Sequence, residues 1–219
     1  MRFKIPHVLA PEDLKTIRTI LNEADFVDGK LTAGWHAKLV KENQQLSKTC
    51  PQATTLKQMV KSALNGHPLF QSAVQPKQIH TVLMSRYDVG MAYGRHTDNA
   101  LMQGLRSDVS FTVFLNDPTD YKGGELVIEG ADDEQSYKLA AGDAIVYPST
   151  TLHRVEPVTA GTRLVAVGWV QSRIRDVHKR EILFDLEVAR RSWFAREGKT
   201  PEFDLLSKSS ANLLRMWVE

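Results

Sequence analysis

The spacing of apolar and polar positions changes twice along this chain. In the first third it is helical. PEDLKTIRTILNEA opens on Pro11 with acids in its first turn, and Leu14, Ile17 and Leu21 fall on one stripe. The same logic predicts a second helix in GWHAKLVKENQQLS and a third in TTLKQMVKSALNG, closed by Gly66 and Pro68. Near Pro76 the period shortens to two. QIHTVLMSRY, DVSFTVFLND, GELVIEG, QSYKLAAG, DAIVYPS, LHRVEPV and TRLVAVGWVQS are short and rich in Val, Ile, Phe and Thr, with turn signals such as NDPTD, YKGG and AAGD between them. Many short strands at this spacing predict a sandwich, barrel or jelly roll and not βαβ units. Beyond Asp176 the helical period returns, with Ile182, Leu186, Ala189 and Trp193 on one stripe and Phe203, Leu206, Leu213 and Trp217 on another. Those apolar faces are expected to pack on the β-domain, with a homo-oligomer contact as the alternative.

The expected architecture is therefore mainly β with flanking helices (α+β), its core a sandwich, barrel or jelly roll. Residues 1–75 form an N-terminal helical support region, 76–173 the jelly-roll domain and 174–219 a C-terminal helical region. Composition changes little in this picture. Hydrophobic residues at 42% and charged residues at 25% are ordinary for a globular domain, and a net charge of +2 gives no reason to expect nucleic acid. No apolar run has the length of a membrane span, and MRFKIPHVLAPEDL lacks the apolar core of a signal peptide. The lone Cys50 cannot form an internal disulfide, which suits a cytoplasmic setting.

Candidate chemistry concentrates in YDVGMAYGRHTDNALM. His96 and Asp98 stand two residues apart, and in an extended segment residues i and i+2 share a face. The pair is either half of a metal site or two surface polar groups. His153 in PSTTLHRVEPV and Arg163 ten positions later strengthen the first reading. Two imidazoles and one carboxylate on one face of an octahedral ion leave three adjacent positions open. That arrangement suits non-haem Fe(II) binding a bidentate cosubstrate and oxygen together. A buried distal carboxylate on a 2-oxo acid calls for a permanently charged planar donor, and arginine is that donor. A barrel-rim salt bridge is the alternative role for Arg163.

SRYDVGMAYGRHTDNALM, SFTVFLNDPTDYKGGELVIE and AGDAIVYPSTTLHRVEPVTAGTRLVAVGWVQS together resemble the iron- and 2-oxoglutarate-dependent dioxygenases of the prolyl-4-hydroxylase type. More closely, the chain resembles the bacterial PKHD-type hydroxylases, a group associated with iron uptake, over almost its whole length. The resemblance implies a double-stranded β-helix (jelly-roll) core, with His96, Asp98 and His153 as Fe(II) ligands and Arg163 on the distal carboxylate of 2-oxoglutarate. It also implies Tyr87 near the cosubstrate, Trp169 as the aromatic after the arginine, and stimulation by L-ascorbate. The implied reaction is hydroxylation of a small-molecule or peptidyl substrate with release of succinate and CO2. One departure stands out. Some relatives carry a tyrosine in the third core strand that helps to hold the distal carboxylate, and Phe114 stands at that place here. A second donor is then expected from Ser110 or Thr112. A zinc hydrolase on the same barrel and a non-enzymatic cupin-like metal-binding module are the competing readings.

Overall fold

In the computed structural model, which describes residues 2–219, the change of period at Pro76 becomes a change from covering helices to two facing sheets. The larger sheet runs, in spatial order, β1 (Phe3–Ile5), β13 (Ala144–Pro148), β9 (Val109–Phe114), β16 (Arg163–Ser172), β5 (Pro76–Tyr87), β4 (Gln44–Leu46) and β2 (Phe26–Asp28). The smaller runs β12 (Glu134–Tyr137), β11 (Leu126–Glu129), β14 (His153–Val155), β6 (Ala92–His96) and β3 (Lys41–Glu42). Two ribbons complete the strands, β7 (Leu101–Met102) with β8 (Leu105–Arg106) and β10 (Tyr121–Gly123) with β15 (Val158–Gly161). The pairings are antiparallel, and the result is the double-stranded β-helix, the jelly roll among the architectures that the alternation allows and the one that the resemblance implies.

Alternation sorts the central strands between two cores. Phe111, Val113, Val146 and Ala166 point to the helical side, while Phe114, Ile145, Tyr147 and Val165 point to the smaller sheet. Every residue of β9 is buried because both of its faces are covered. On the helical side lie α1 (Pro11–Glu23), α2 (Ala53–Gly66) and α3 (Pro68–Val74), which contribute Ile17, Leu21, Leu56, Val60, Leu64 and Phe70. Each such side chain contributes roughly 1.5–3 kcal/mol of transfer free energy. Gly66 and Pro68 do end α2, but Pro68 also starts α3, since proline is well placed at the first helical position.

The helix expected over GWHAKLVKENQQLS does not form. One 3-10 turn at Ala37–Leu39 leads into β3 and β4. Lys41 registers against Tyr93 and Gln45 against Ser85, so the segment pairs the open edges of both sheets. Its alternation is real but chemically inverted: Lys41, Asn43 and Gln45 are buried, whereas Glu42 is exposed. Hydrophobic periodicity cannot detect a strand whose inward residues are polar.

The C-terminal helices α4 (Val177–Glu197) and α5 (Pro201–Trp217) are each capped by a side chain. Asp176 accepts from the backbone N–H groups of His178 and Lys179, and Thr200 accepts from that of Phe203. The buried face of α4 is rotated from the predicted stripe. Leu183 and Arg180 are buried and Ile182 is exposed, because Phe184 meets Phe3 edge-on at 4.5 Å. The α5 stripe is only half-buried, and this helix packs on α4, where the Phe203 and Phe194 ring centroids lie 5.0 Å apart. No helix among the described residues is long and apolar enough to cross a membrane.

Candidate metal centre

Antiparallel pairing sets His153 of β14 directly opposite His96 of β6, and their ring centroids lie 4.3 Å apart. Asp98, just past the end of β6, brings its Oδ2 to 3.8 Å from His153 Nε2. One ligand atom from each of the three lies within 4.8 Å of the others. The three residues that the sequence singles out therefore converge.

Neighbouring groups prepare each of them. The Nδ1–H of His96 donates to the Gly94 carbonyl at 2.7 Å, and that of His153 to the Thr151 carbonyl at 3.0 Å. A carbonyl only accepts, so Nδ1 carries the proton and Nε2 presents its lone pair. Ser110 Oγ donates to Asp98 Oδ2 at 2.5 Å and lies 2.7 Å from Ser149 Oγ. Since Ser110 has one hydroxyl proton, Ser149 donates to it, and the relay ends on the carboxylate. Tyr93 stacks on the His96 ring and Tyr147 meets the His153 ring edge-on. Burial, with His153 beside it, pushes the His96 imidazole down to about 4, so it is neutral at neutral pH. Two imidazoles presenting Nε2 and one oriented carboxylate fit a divalent transition metal.

Arg163 is 1% exposed and registers opposite Tyr87. Its guanidinium carbon lies 4.9 Å from the Tyr87 ring centroid and 5.7 Å from that of Phe114. No carboxylate pairs with it among the described residues, so the barrel-rim salt bridge is not formed, and its Nε and Nη1 have no hydrogen-bond partner. A buried cation with unfilled donors fits an anionic ligand such as the distal carboxylate of a 2-oxo acid.

Phe114 offers no donor, and both expected substitutes pair with β16 at positions well along the strand from Arg163. Ser110 registers with Trp169 and Thr112 with Val167, about 20 Å and about 13 Å along β16 from Arg163. Ser110 is in any case committed to Asp98. Besides Tyr87, Tyr121 brings a hydroxyl near Arg163, and its buried Oη has no partner. Burial raises this phenol and the Arg163 charge opposes the rise, which marks their proximity. Gly124, at φ +69, makes that proximity possible: a Cβ there would lie 3.0 Å from Arg163 Cδ and 3.2 Å from Tyr121 Cε2. The sequence signal was the tyrosine of YKGG, which reads only as turn chemistry.

His96, Asp98, His153, Tyr87 and Arg163 line one cavity of about 380 Å³, reached also by Lys41 of β3 and by Trp169, whose indole N–H is buried without a partner. The model of the 2OG-Fe(II) oxygenase superfamily matches residues 82–171, the part of the chain that carries the cavity. A PKHD-type hydroxylase of Picosynechococcus is 72% identical over 219 residues, covering 100% of both chains, and one of Acaryochloris marina is 64% identical with the same coverage. Among solved structures, a Pseudomonas putida prolyl-4-hydroxylase is 22% identical with a TM-score of 0.51, over 78% of this chain and 92% of that one. A prolyl hydroxylase from Trichoplax adhaerens gives a TM-score of 0.55 at 15% identity, over 83% and 86% of the two chains. At these identities the likeness is one of fold.

Proposed function

This chain belongs to the PKHD-type hydroxylases of the 2OG-Fe(II) oxygenase superfamily, and from that premise we propose that His96, Asp98 and His153 hold its Fe(II) and that Arg163 binds 2-oxoglutarate. The observation that supports this most directly is the convergence of three prepared ligand atoms in the same cavity as a buried, unpaired guanidinium. A zinc hydrolase or a metal-binding module would leave that guanidinium without a ligand.

Iron and 2-oxoglutarate together supply oxygen activation: one oxygen atom enters a substrate C–H bond and the other leaves in succinate as CO2 is released. The residues of this chain bind, orient and exclude. Backbone carbonyls hold both imidazole tautomers, and the serine relay fixes the orientation of the Asp98 carboxylate through Oδ2, the oxygen that faces His153. Arg163 neutralises the distal carboxylate between the Tyr87 and Phe114 rings, which keep water from the ion pair. Tyr121 supplies the second donor at that end in place of Phe114. The reading carries with it ascorbate stimulation, a cytoplasmic setting and the link to iron uptake.

Anaerobic addition of Fe(II) and 2-oxoglutarate is expected to produce a visible charge-transfer band that Asp98→Ala lacks. Absence of the band in the unaltered protein, together with no succinate formed in air, would overturn the reading.

A further inference from the structure

Lys41 is the feature of this cavity that the metal and the cosubstrate do not use. It is 5% exposed, and Nζ makes one hydrogen bond, to Thr32 Oγ1 at 3.1 Å. It lies 5.2 Å from the ring centroid of Tyr93, whose ring in turn stacks on His96, so the ammonium sits one ring away from the metal centre. No carboxylate lies within ion-pair distance among the described residues. Asp98 and Asp28 act on it only at longer range, and burial dominates, bringing the ammonium down to about 8, which leaves it charged at neutral pH.

The charge of the cavity makes this ammonium informative. The chain as a whole is nearly balanced, with 28 basic and 26 acidic residues. The charged residues lining the cavity are Lys41, Lys48, Arg163 and a single acid, Asp98. Fe(II) with Asp98 leaves one positive charge, and Arg163 adds a second. The two carboxylates of 2-oxoglutarate balance both. Lys48 is exposed to solvent, so Lys41 is the buried charge left without a counter-charge, with the unpartnered Trp169 N–H in the same cavity. Burying an ammonium is costly unless an anion joins it.

We infer that Lys41 is a substrate-binding residue and that the substrate carries a free carboxylate, or an equivalent small anionic group, close to the carbon that is hydroxylated. This rests on the 2-oxoglutarate oxygenase reading above and narrows it. An interior residue of a polypeptide with an uncharged side chain has only neutral amides on either side of its reacting carbon and leaves Lys41 unpaired. A small acid or a chain-terminal residue pairs it.

The test uses the full chain loaded with Mn(II) and 2-oxoglutarate under nitrogen, so that binding is read without turnover. The probes are matched pairs, N-acetyl amino acids and their primary amides, titrated by calorimetry. For at least one pair the acid is expected to bind tenfold or more tightly than its amide. Lys41→Met is expected to abolish that preference and Lys41→Arg to restore part of it, while 2-oxoglutarate affinity stays within twofold in both variants. Equal binding of acid and amide, a preference that survives Lys41→Met, or no binding of any acid overturns the inference. A fall in 2-oxoglutarate affinity in Lys41→Met also overturns it, since Lys41 would then serve the cosubstrate. Failure of 2-oxoglutarate to bind the unaltered protein would instead sink the oxygenase reading, so the two failures are distinguishable.

Discussion

The Tyr93 ring lies parallel to the His96 imidazole, with centroids 3.6 Å apart and planes 16° from coplanar. Both belong to β6, and the stack limits rotation of a ring already held by its Nδ1–H bond to Gly94. Tyr93→Ala is expected to weaken Mn(II) or Fe(II) binding by about tenfold, whereas Tyr93→Phe, which keeps the ring, stays near the unaltered value. Calorimetric metal titration of the three proteins checks this.

Ser110 ends its relay on Asp98 Oδ2. Ser110→Ala removes the donor that orients the carboxylate and leaves Ser149 to find another acceptor. Metal affinity is expected to fall by about 10–100-fold, with thermal stability lowered by only about 1 kcal/mol. Metal titration and a melting curve of the apo-protein separate the two effects.

Arg163 has opposite consequences for the apo-protein and the loaded enzyme. Without an anion it is a buried cation with unfilled donors, so Arg163→Met is expected to melt at or above the temperature of the unaltered apo-protein. The same substitution is expected to raise the Kd for 2-oxoglutarate by about 10–100-fold, the worth of charge-assisted hydrogen bonds, and to erase the stabilisation that the cosubstrate gives. Thermal shift with and without 2-oxoglutarate reads both.

Acid should destabilise the apo-protein through His96. The unfolded chain takes up this proton near the ordinary imidazole value, but burial defers it in the fold to about 4. Between those values the unfolded state binds more protons, so stability rises with pH across the window and falls on acidification. Burial of His80, which is also lowered, acts in the same direction. His96→Gln is expected to flatten the slope between about pH 6.5 and about pH 4 in denaturant titrations. An unchanged slope would contradict the burial of a neutral imidazole.

Much of the fold and part of the site were legible in the chain because their signals are local. Val, Ile and Phe alternating through DVSFTVF and RLVAVGWV demand a strand covered on its faces, and β9 and β16 are such strands. His96 and Asp98 lie two residues apart, and Arg163 stands out in an apolar run. The features that escaped depend on partners distant in the chain. Residues 34–47 read as a helix because Lys41, Asn43 and Gln45 turn polar groups inward, a choice that is stable only against the edges of β5 and β6. Ile182 was expected to face the core, but docking against Phe3 turned α4 to bury Leu183 instead.

By itself, then, the sequence determined the strand-rich core, the positions of the candidate ligands and the helix caps, since backbone periodicity and capping chemistry act between near neighbours. Tertiary structure decided which hydroxyl orients Asp98, that Tyr121 stands beside Arg163, and that a lysine from a polar edge strand is buried in the cavity. Those outcomes follow from register and desolvation, which exist only once distant strands have paired.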